Sequence, residues 1–259
     1  MKYFIKRFWI ILALAILINI PILVMGVTRT NQSVTLKGDT TVVEQFVEID
    51  HPYEANGSFS TIYVISVDHS TILQNIFAGA SQTSEVEELP DHYLHFTTSE
   101  LNKMARIQHE SSIQYSLLLA YQEASKIDES IHLESEFDAF VVSYYAEDSL
   151  FRIGDRIIGV NEIYAKDDFE AFRTAFNTRK EGDIFQVLRS NQEITIPYSE
   201  SNMKISGYSF YTLNQATATP AYKIKSTNVG GSSGGLLQTL ALYNSLIEED
   251  ITKGLKIAG

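Results

Sequence analysis

The stretch that decides the interpretation of this chain is Asn228–Gly259, NVGGSSGGLLQTLALYNSLIEEDITKGLKIAG. Two glycine pairs bracket Ser232 and Ser233, and apolar residues at spacings of one, three and four then predict a helix that begins near Ser233. A serine on such a turn is a suitable nucleophile, because glycine admits a close substrate backbone and the free N–H groups of the helix stabilise an oxyanion. Helix caps, linkers and phosphate-binding turns share this local pattern, so the pattern alone leaves those alternatives open.

The same stretch resembles the start of the proteolytic domain of Lon-type serine proteases. The resemblance is strongest to the membrane-anchored, PDZ-containing Lon-like proteases of Gram-positive bacteria. It is carried by the glycine-serine loop at 230–235, by Leu242-Tyr243-Asn244, by Ile251-Thr252-Lys253-Gly254 and by Ile257-Ala258-Gly259.

The resemblance implies that Ser233 is the nucleophile and that Gly231, Ser232 and Gly234 form the surrounding oxyanion loop. Ser232 stands where the family has proline, and Gly234 stands where it has alanine. Both departures loosen the loop, since proline fixes φ and glycine frees the backbone.

Lon-type proteases use a serine–lysine dyad, in which a lysine of lowered pKa accepts the serine proton. The resemblance places that lysine past residue 259, and neither Lys253 nor Lys256 matches its position, so a solvated surface role is expected for both. We therefore expect a C-terminally truncated member, inactive as a peptidase in residues 1–259. No Walker A pattern occurs in the sequence, so neither ATP nor any other cofactor is expected.

The composition of the chain restricts the classes of partner that it is expected to bind. The chain has 259 residues, a formal net charge of −12 and no cysteine. The negative charge argues against nucleic-acid binding, and the lack of cysteine excludes disulfides and thiolate metal sites. His92 and His95 form an H-x-x-H pair, but zinc needs at least three protein ligands, so a surface loop is the better interpretation and no metal is expected.

The N-terminal region predicts a membrane anchor. Residues 8–27 carry no charge, and about 20 such residues cross a bilayer as a helix. Lys2, Lys6 and Arg7 precede the apolar run, which places the N-terminus in the cytoplasm and the bulk outside the cell membrane. A cleaved signal peptide is the alternative, but this run is longer than a signal peptide requires and ends without an A-x-A site.

The middle of the chain predicts a long helix and then a small α/β module. Thr98–Ile127 is the helix, with an apolar stripe that includes Met104, Tyr115 and Leu119, and it is interpreted as scaffold. Residues 134–198 resemble a PDZ domain. The resemblance is carried by the sequence GDRIIGVN at 154–161, by a helix with Phe169, Phe172 and Phe176 on one face, and by two following strands.

PDZ domains bind peptides by adding them as an extra strand. The resemblance gives that role to Phe137, Asp138, Ala139 and Phe140. This loop lacks the usual glycine, and Asp138 is acidic where a terminal carboxylate would lie, so an internal segment is the better peptide candidate. The alternative is that the module only packs against the protease domain.

The sequence therefore predicts an α+β protein in four parts: an anchor (1–30), an extracytoplasmic α/β segment (31–130), a PDZ domain (131–200) and the start of a Lon-type domain (201–259), whose first strands lie between Met203 and Thr227. Its expected function is ATP-independent serine endopeptidase activity on secreted or membrane-associated peptides or proteins, and the resemblance allows homo-oligomers. The alternatives are a non-catalytic PDZ peptide-binding protein and a gene remnant that does not fold stably.

Overall fold

The computed structural model describes residues 2–200, 204–225 and 229–259, with side chains from residue 7 onwards. Asn228, and the ends of the segment Met203–Thr227, lie outside these residues. The chain is of mixed α and β type. The helices are α1 (Lys2–Val27), α2 (Ile72–Gly79), α3 (Thr98–Ala124), α4 (Phe169–Asn177) and α5 (Gly235–Leu246).

The strands alternate irregularly with these helices, and two short 3-10 helices lie at Val43–Gln45 and Asp91–Tyr93. The strands are β1 (Gln32–Val42), β2 (Val47–Ile49), β3 (Ser58–Val67), β4 (Ser84–Glu88), β5 (Ser135–Tyr145), β6 (Arg156–Val160), β7 (Ile163–Tyr164), β8 (Ile184–Arg189), β9 (Gln192–Pro197), β10 (Ile205–Leu213), β11 (Tyr222–Ile224) and β12 (Lys256–Ala258).

The chain divides into two compact units, and the division falls inside β1 and β3. Unit 1 contains Met1–Asp39 and Val64–Thr98, and unit 2 contains Thr40–Tyr63 and Ser99–Gly259. In unit 1, β1 and β4 pair antiparallel, from Gln32 opposite Glu88 to Leu36 opposite Ser84. Helix α1 also belongs to unit 1, and its residues Arg7–Val27 are long and apolar enough to cross a membrane, which supports an anchor by length and composition only.

The core of unit 2 lies between α3 and α5. Leu117, Ala120 and Ala124 of α3 are fully buried and pack with Leu242 and Leu246 of α5. The stripe predicted for α3 is only partly correct. Met104 is buried, but Tyr115 and Leu119 are 43% and 46% exposed. The buried face is instead rich in small side chains, which do not stand out in a search for apolar periodicity.

Strand β12 joins unit 2 through β3. The two strands pair in parallel, with Lys256 opposite Ser58 and Ala258 opposite Ser60. Gly57 precedes this pair, and a Cβ atom there would lie 2.1 Å from the Leu255 carbonyl oxygen. Only glycine therefore allows the two backbones to approach so closely.

The region predicted to be PDZ-like forms a sheet of six strands, in the order β10-β5-β6-β8-β9 with β7 paired to β6. Phe169, Phe172 and Phe176 of α4 lie on one face, as predicted, and contact Phe137 and Phe140 of β5 with ring centroids 4.8–5.5 Å apart. Strand β10 was expected to begin the next domain, but it pairs antiparallel with β5 along its whole length.

Candidate functional site

The glycine-serine turn leads directly into α5. Gly231 has a φ of 86°, a left-handed conformation that favours glycine. Ser232 and Ser233 are both exposed. The Gly235 N–H donates to the Ser232 carbonyl oxygen (3.2 Å), which closes the turn one residue before the helix proceeds. Ser233 thus stands beside the first turn of α5, whose N–H groups have no acceptor within the helix.

One face of α3 supports this turn. Ala105, His109, Ser112 and Ser116 follow one another at spacings of four, three and four, so they lie in a row along α3. We call these four residues the cradle. Ala105 and Ser112 have small side chains that allow the turn to come close. The His109 ring forms a hydrogen bond to the Gly231 backbone, and Ser116 forms one to the start of α5.

Two hydrogen bonds between the cradle and the backbone of the turn fix the turn at both ends. The Gly231 N–H donates to the Ala105 carbonyl oxygen (2.8 Å), and the Ser116 hydroxyl donates to the Gly235 carbonyl oxygen (3.0 Å). The approach is close, since a Cβ atom at Gly230 would lie 2.7 Å from the Ala105 Cβ, and one at Gly235 would lie 2.8 Å from the Ser112 Oγ. Packing therefore holds the turn, although its sequence is rich in glycine.

His109 is the titratable member of the cradle, and sequence reasoning missed it. Its residue is 6% exposed, and its ring lies edge-to-face on Phe46 with centroids 5.4 Å apart. Burial lowers the pKa of His109 below its ordinary value, and a hydrogen bond from the ring to the Gly231 backbone opposes that effect. The only sequence signal was its spacing from Ala105 and Ser112.

The two lysines near the C-terminus are exposed, as expected for surface residues. Lys253 has a φ of 52° in the turn after α5, and Lys256 begins β12. The described residues do not test the expected lysine base, because the resemblance places it past residue 259. Among the described residues, no group of three or more His, Asp or Glu side chains could hold a metal ion.

Strand β10 occupies the strand edge expected to take a peptide. It pairs with β5 from Phe137 opposite Tyr211 to Phe140 opposite Ser209. Ala139 is fully buried, and the Asp138 carboxylate forms an ion pair with Arg156. Peptide addition at Phe137–Phe140 stays a prediction, but an incoming strand would have to displace β10.

On this side of β5 the sheet ends at the outer edge of β10. Part of that edge is already engaged, because the Tyr211 N–H donates to the Gln114 Oε1 of α3 (3.1 Å). Gly207 marks an irregularity in the pairing with β5, and a Cβ atom there would lie 2.1 Å from the Val141 carbonyl oxygen. Glycine is therefore needed for β10 to lie against β5.

Unit 2 also contains a cavity of about 310 Å³ that Ser233 does not line. Its walls include Val43, Phe59 and Leu242, and Lys225 and Glu48 form an ion pair at 3.0 Å among the lining residues. The hydrogen bond from Lys225 lowers the pKa of the exposed Glu48 carboxyl. The cavity lies beside the C-terminal half of α5, whereas Ser233 precedes its first residue.

Fold and site together define an α+β chain with an N-terminal apolar helix and an exposed serine on a glycine turn. No family model, curated protein or solved structure matches this chain.

Proposed function

We propose that this chain is a membrane-anchored serine endopeptidase of the Lon-like type, with Ser233 as its nucleophile. One observation carries the proposal: Ser233 is exposed on a turn that α3 holds in place at the N-terminus of a helix. Acyl transfer requires an accessible, positioned nucleophile and nearby N–H donors, together with a base.

In the proposed reaction the Ser233 Oγ bonds to a peptide carbonyl carbon while its proton passes to a base. The backbone N–H groups of Ser233 and Gly234 are the proposed oxyanion donors. The peptide C–N bond then breaks, the amine leaves with a proton, and water releases the acyl group from Ser233. In the family that the sequence resembles the base is a lysine, and no lysine of residues 1–259 matches it.

The proposed setting is the outer face of a cell membrane. Helix α1 is the proposed single-pass anchor, with Lys2, Lys6 and Arg7 on the cytoplasmic side. Secreted or membrane-associated peptides and proteins are then the proposed substrates.

A peptide boronate tests the site without requiring turnover, because boron accepts a serine oxygen to form a tetrahedral adduct that resembles the intermediate. We expect the full chain in nanodiscs to form the adduct, detected by boron NMR. Ser233→Ala should abolish it. The matched control Ser232→Ala changes the neighbouring exposed hydroxyl and should leave the adduct intact.

An adduct that persists in Ser233→Ala would overturn the proposal, as would the lack of any adduct in the wild-type chain. We expect no peptide hydrolysis by residues 1–259 themselves, because none of their lysines matches the base of the family that the sequence resembles. Hydrolysis that depends on Ser233 would show that another group of this chain accepts the proton.

The second candidate is peptide binding by the six-stranded sheet, which the position of β10 as an end strand favours. Binding of extended peptides by the full chain, measured by fluorescence anisotropy and unchanged in Ser233→Ala, would support this candidate. Since β10 belongs to the sheet, any fragment used for this purpose must include residues 205–213.

A further inference from the structure

Helix α2 exposes two large apolar side chains and turns the polar Asn75 inward. Asn75 points its polar side chain into unit 1, where its amide nitrogen donates to the Thr30 hydroxyl (3.1 Å) and to the Gln32 Oε1 (2.6 Å). Ile76 and Phe77 are instead 53% and 69% exposed. A helix on the surface of a water-soluble domain normally buries its apolar face and exposes its polar one.

These two residues belong to an apolar stripe whose other members are the half-buried Leu73 and the exposed Ala80. Leu73, Ile76, Phe77 and Ala80 lie three, four and seven positions apart from the first, which places them on one side of α2. Around the stripe, residues 70–84 carry no charge. The surface around the stripe therefore presents no charge to water, and the stripe itself offers water no side-chain hydrogen bond.

Helix α2 begins beside the end of α1. The Ile72 N–H donates to the Thr28 carbonyl oxygen (3.1 Å), one residue after α1 ends at Val27. Leu73 lies against Gly26, and the Thr30 N–H donates to the Ser70 carbonyl oxygen (2.9 Å). These bonds fix the start of α2 at the level where the apolar helix ends.

We propose that α2 lies in the interfacial layer of the membrane that α1 crosses, with Ile76 and Phe77 inserted among the lipid acyl chains. The inference rests on the anchor role proposed for α1 but on none of the proposed chemistry at Ser233. Interfacial helices bury an apolar face about 5–10 Å into the boundary between headgroups and acyl chains. The acidic strand β4, with Glu85, Glu87 and Glu88, stays in water because buried unpaired carboxylates are costly.

Spin labels test this placement cleanly, because the chain has no native cysteine. Single labels are attached at Ile76→Cys, Phe77→Cys and, as a matched control in the same unit, Glu87→Cys. The full chain is placed in nanodiscs, and collisions with oxygen, which concentrates in lipid, are compared with collisions with a water-soluble nickel chelate. We expect the ratio of oxygen to nickel collisions at positions 76 and 77 to exceed that at 87 several-fold.

A label at Leu17→Cys, in the middle of α1, reports whether the anchor is inserted. If position 17 reports lipid while 76 and 77 report water, the proposal is overturned. Exclusion of both reagents from 76 and 77 also overturns it, since protein then covers the stripe, and dipolar broadening would identify a second copy. If position 17 itself reports water, the proposal falls together with the anchor, whereas the boronate adduct at Ser233 would be unaffected.

Discussion

Helices α3 and α4 each hold a candidate functional segment in place, but they do so with opposite kinds of side chain. Helix α4 packs three phenylalanines against β5, with burial of Phe172 down to 3% exposure. Helix α3 offers the glycine-serine turn a row of small and polar residues and binds its backbone through hydrogen bonds. Apolar area therefore stabilises the sheet, whereas close approach and backbone pairing position the turn.

The largest effect that separates the two helices is expected at Phe172. Its ring contacts Phe137 and Phe176, so Phe172→Ala leaves a cavity in the aromatic cluster and should cost about 3–5 kcal/mol of unfolding free energy. Urea unfolding of the full chain in detergent, followed by circular dichroism, measures this cost.

The control for Phe172 is Arg173→Ala on the same helix, whose exposed side chain pairs with Glu170 and lies over the Phe169 ring, 5.9 Å from its centroid, without filling the aromatic cluster. This change should alter the unfolding free energy by less than about 0.5 kcal/mol. Equal costs for the two substitutions would mean that α4 does not depend on its aromatic face.

A smaller effect on the unfolding free energy is expected at Gly231, and Gly182 serves as the matched control. Gly231 and Gly182 have φ values of 86° and 92°, and nothing lies within 4 Å of a Cβ atom built on either. Alanine at each position should therefore cost about 1–2 kcal/mol through backbone strain alone. Only Gly231→Ala should also weaken the boronate adduct at Ser233, because only that residue pairs with Ala105.

Boron NMR and urea unfolding on both glycine variants check this prediction together. A loss of adduct in Gly182→Ala as well would show that general destabilisation, rather than the position of the turn, controls Ser233. An unchanged adduct in Gly231→Ala would show that the bond between the cradle and Gly231 does not position Ser233.

The same contrast explains how much the sequence could predict. The face of α4 was predictable because phenylalanines at helical spacing make a strong apolar signal. The helix at 235–246 and the exposed serine before it were also predictable, from the glycine pairs and the leucines that follow. The cradle was not, since alanine, serine and histidine carry little apolar signal and their role depends on a turn more than 110 positions away.

The pairing of β10 with β5 was a second feature that could not be predicted from the sequence. The sequence indicated a strand near 204–211, but nothing local to that strand specifies its partner, because register is set by long-range packing. Its pairing with β5 moves the available edge of the sheet to β10. The exposure of Ile76 and Phe77 on α2 was not predictable either, because two apolar side chains in a helix of eight residues give too weak a pattern.

The smallest effect at neutral pH, and the most specific to the cradle, is expected at His109. Burial lowers its pKa in the folded chain below 6.5, the ordinary value that applies after unfolding. Below that ordinary value the unfolded chain binds a proton that the folded chain does not, so the unfolding free energy falls as the pH falls. Above it both states are neutral and His109 contributes no pH dependence.

His109→Gln keeps a side-chain N–H that can donate to Gly231 but cannot be protonated. Its unfolding free energy should therefore fall less than that of the wild type between about pH 8 and pH 5, measured by urea titration at each pH. The exposed His132→Gln, outside the cradle, serves as the control for the loss of one histidine. A constant difference between wild type and His109→Gln at every pH would show that His109 acts by packing alone. In that case the cradle and the aromatic face of α4 would differ only in how much they stabilise the fold. A difference in slope means instead that protonation weakens the cradle but not the aromatic face of α4.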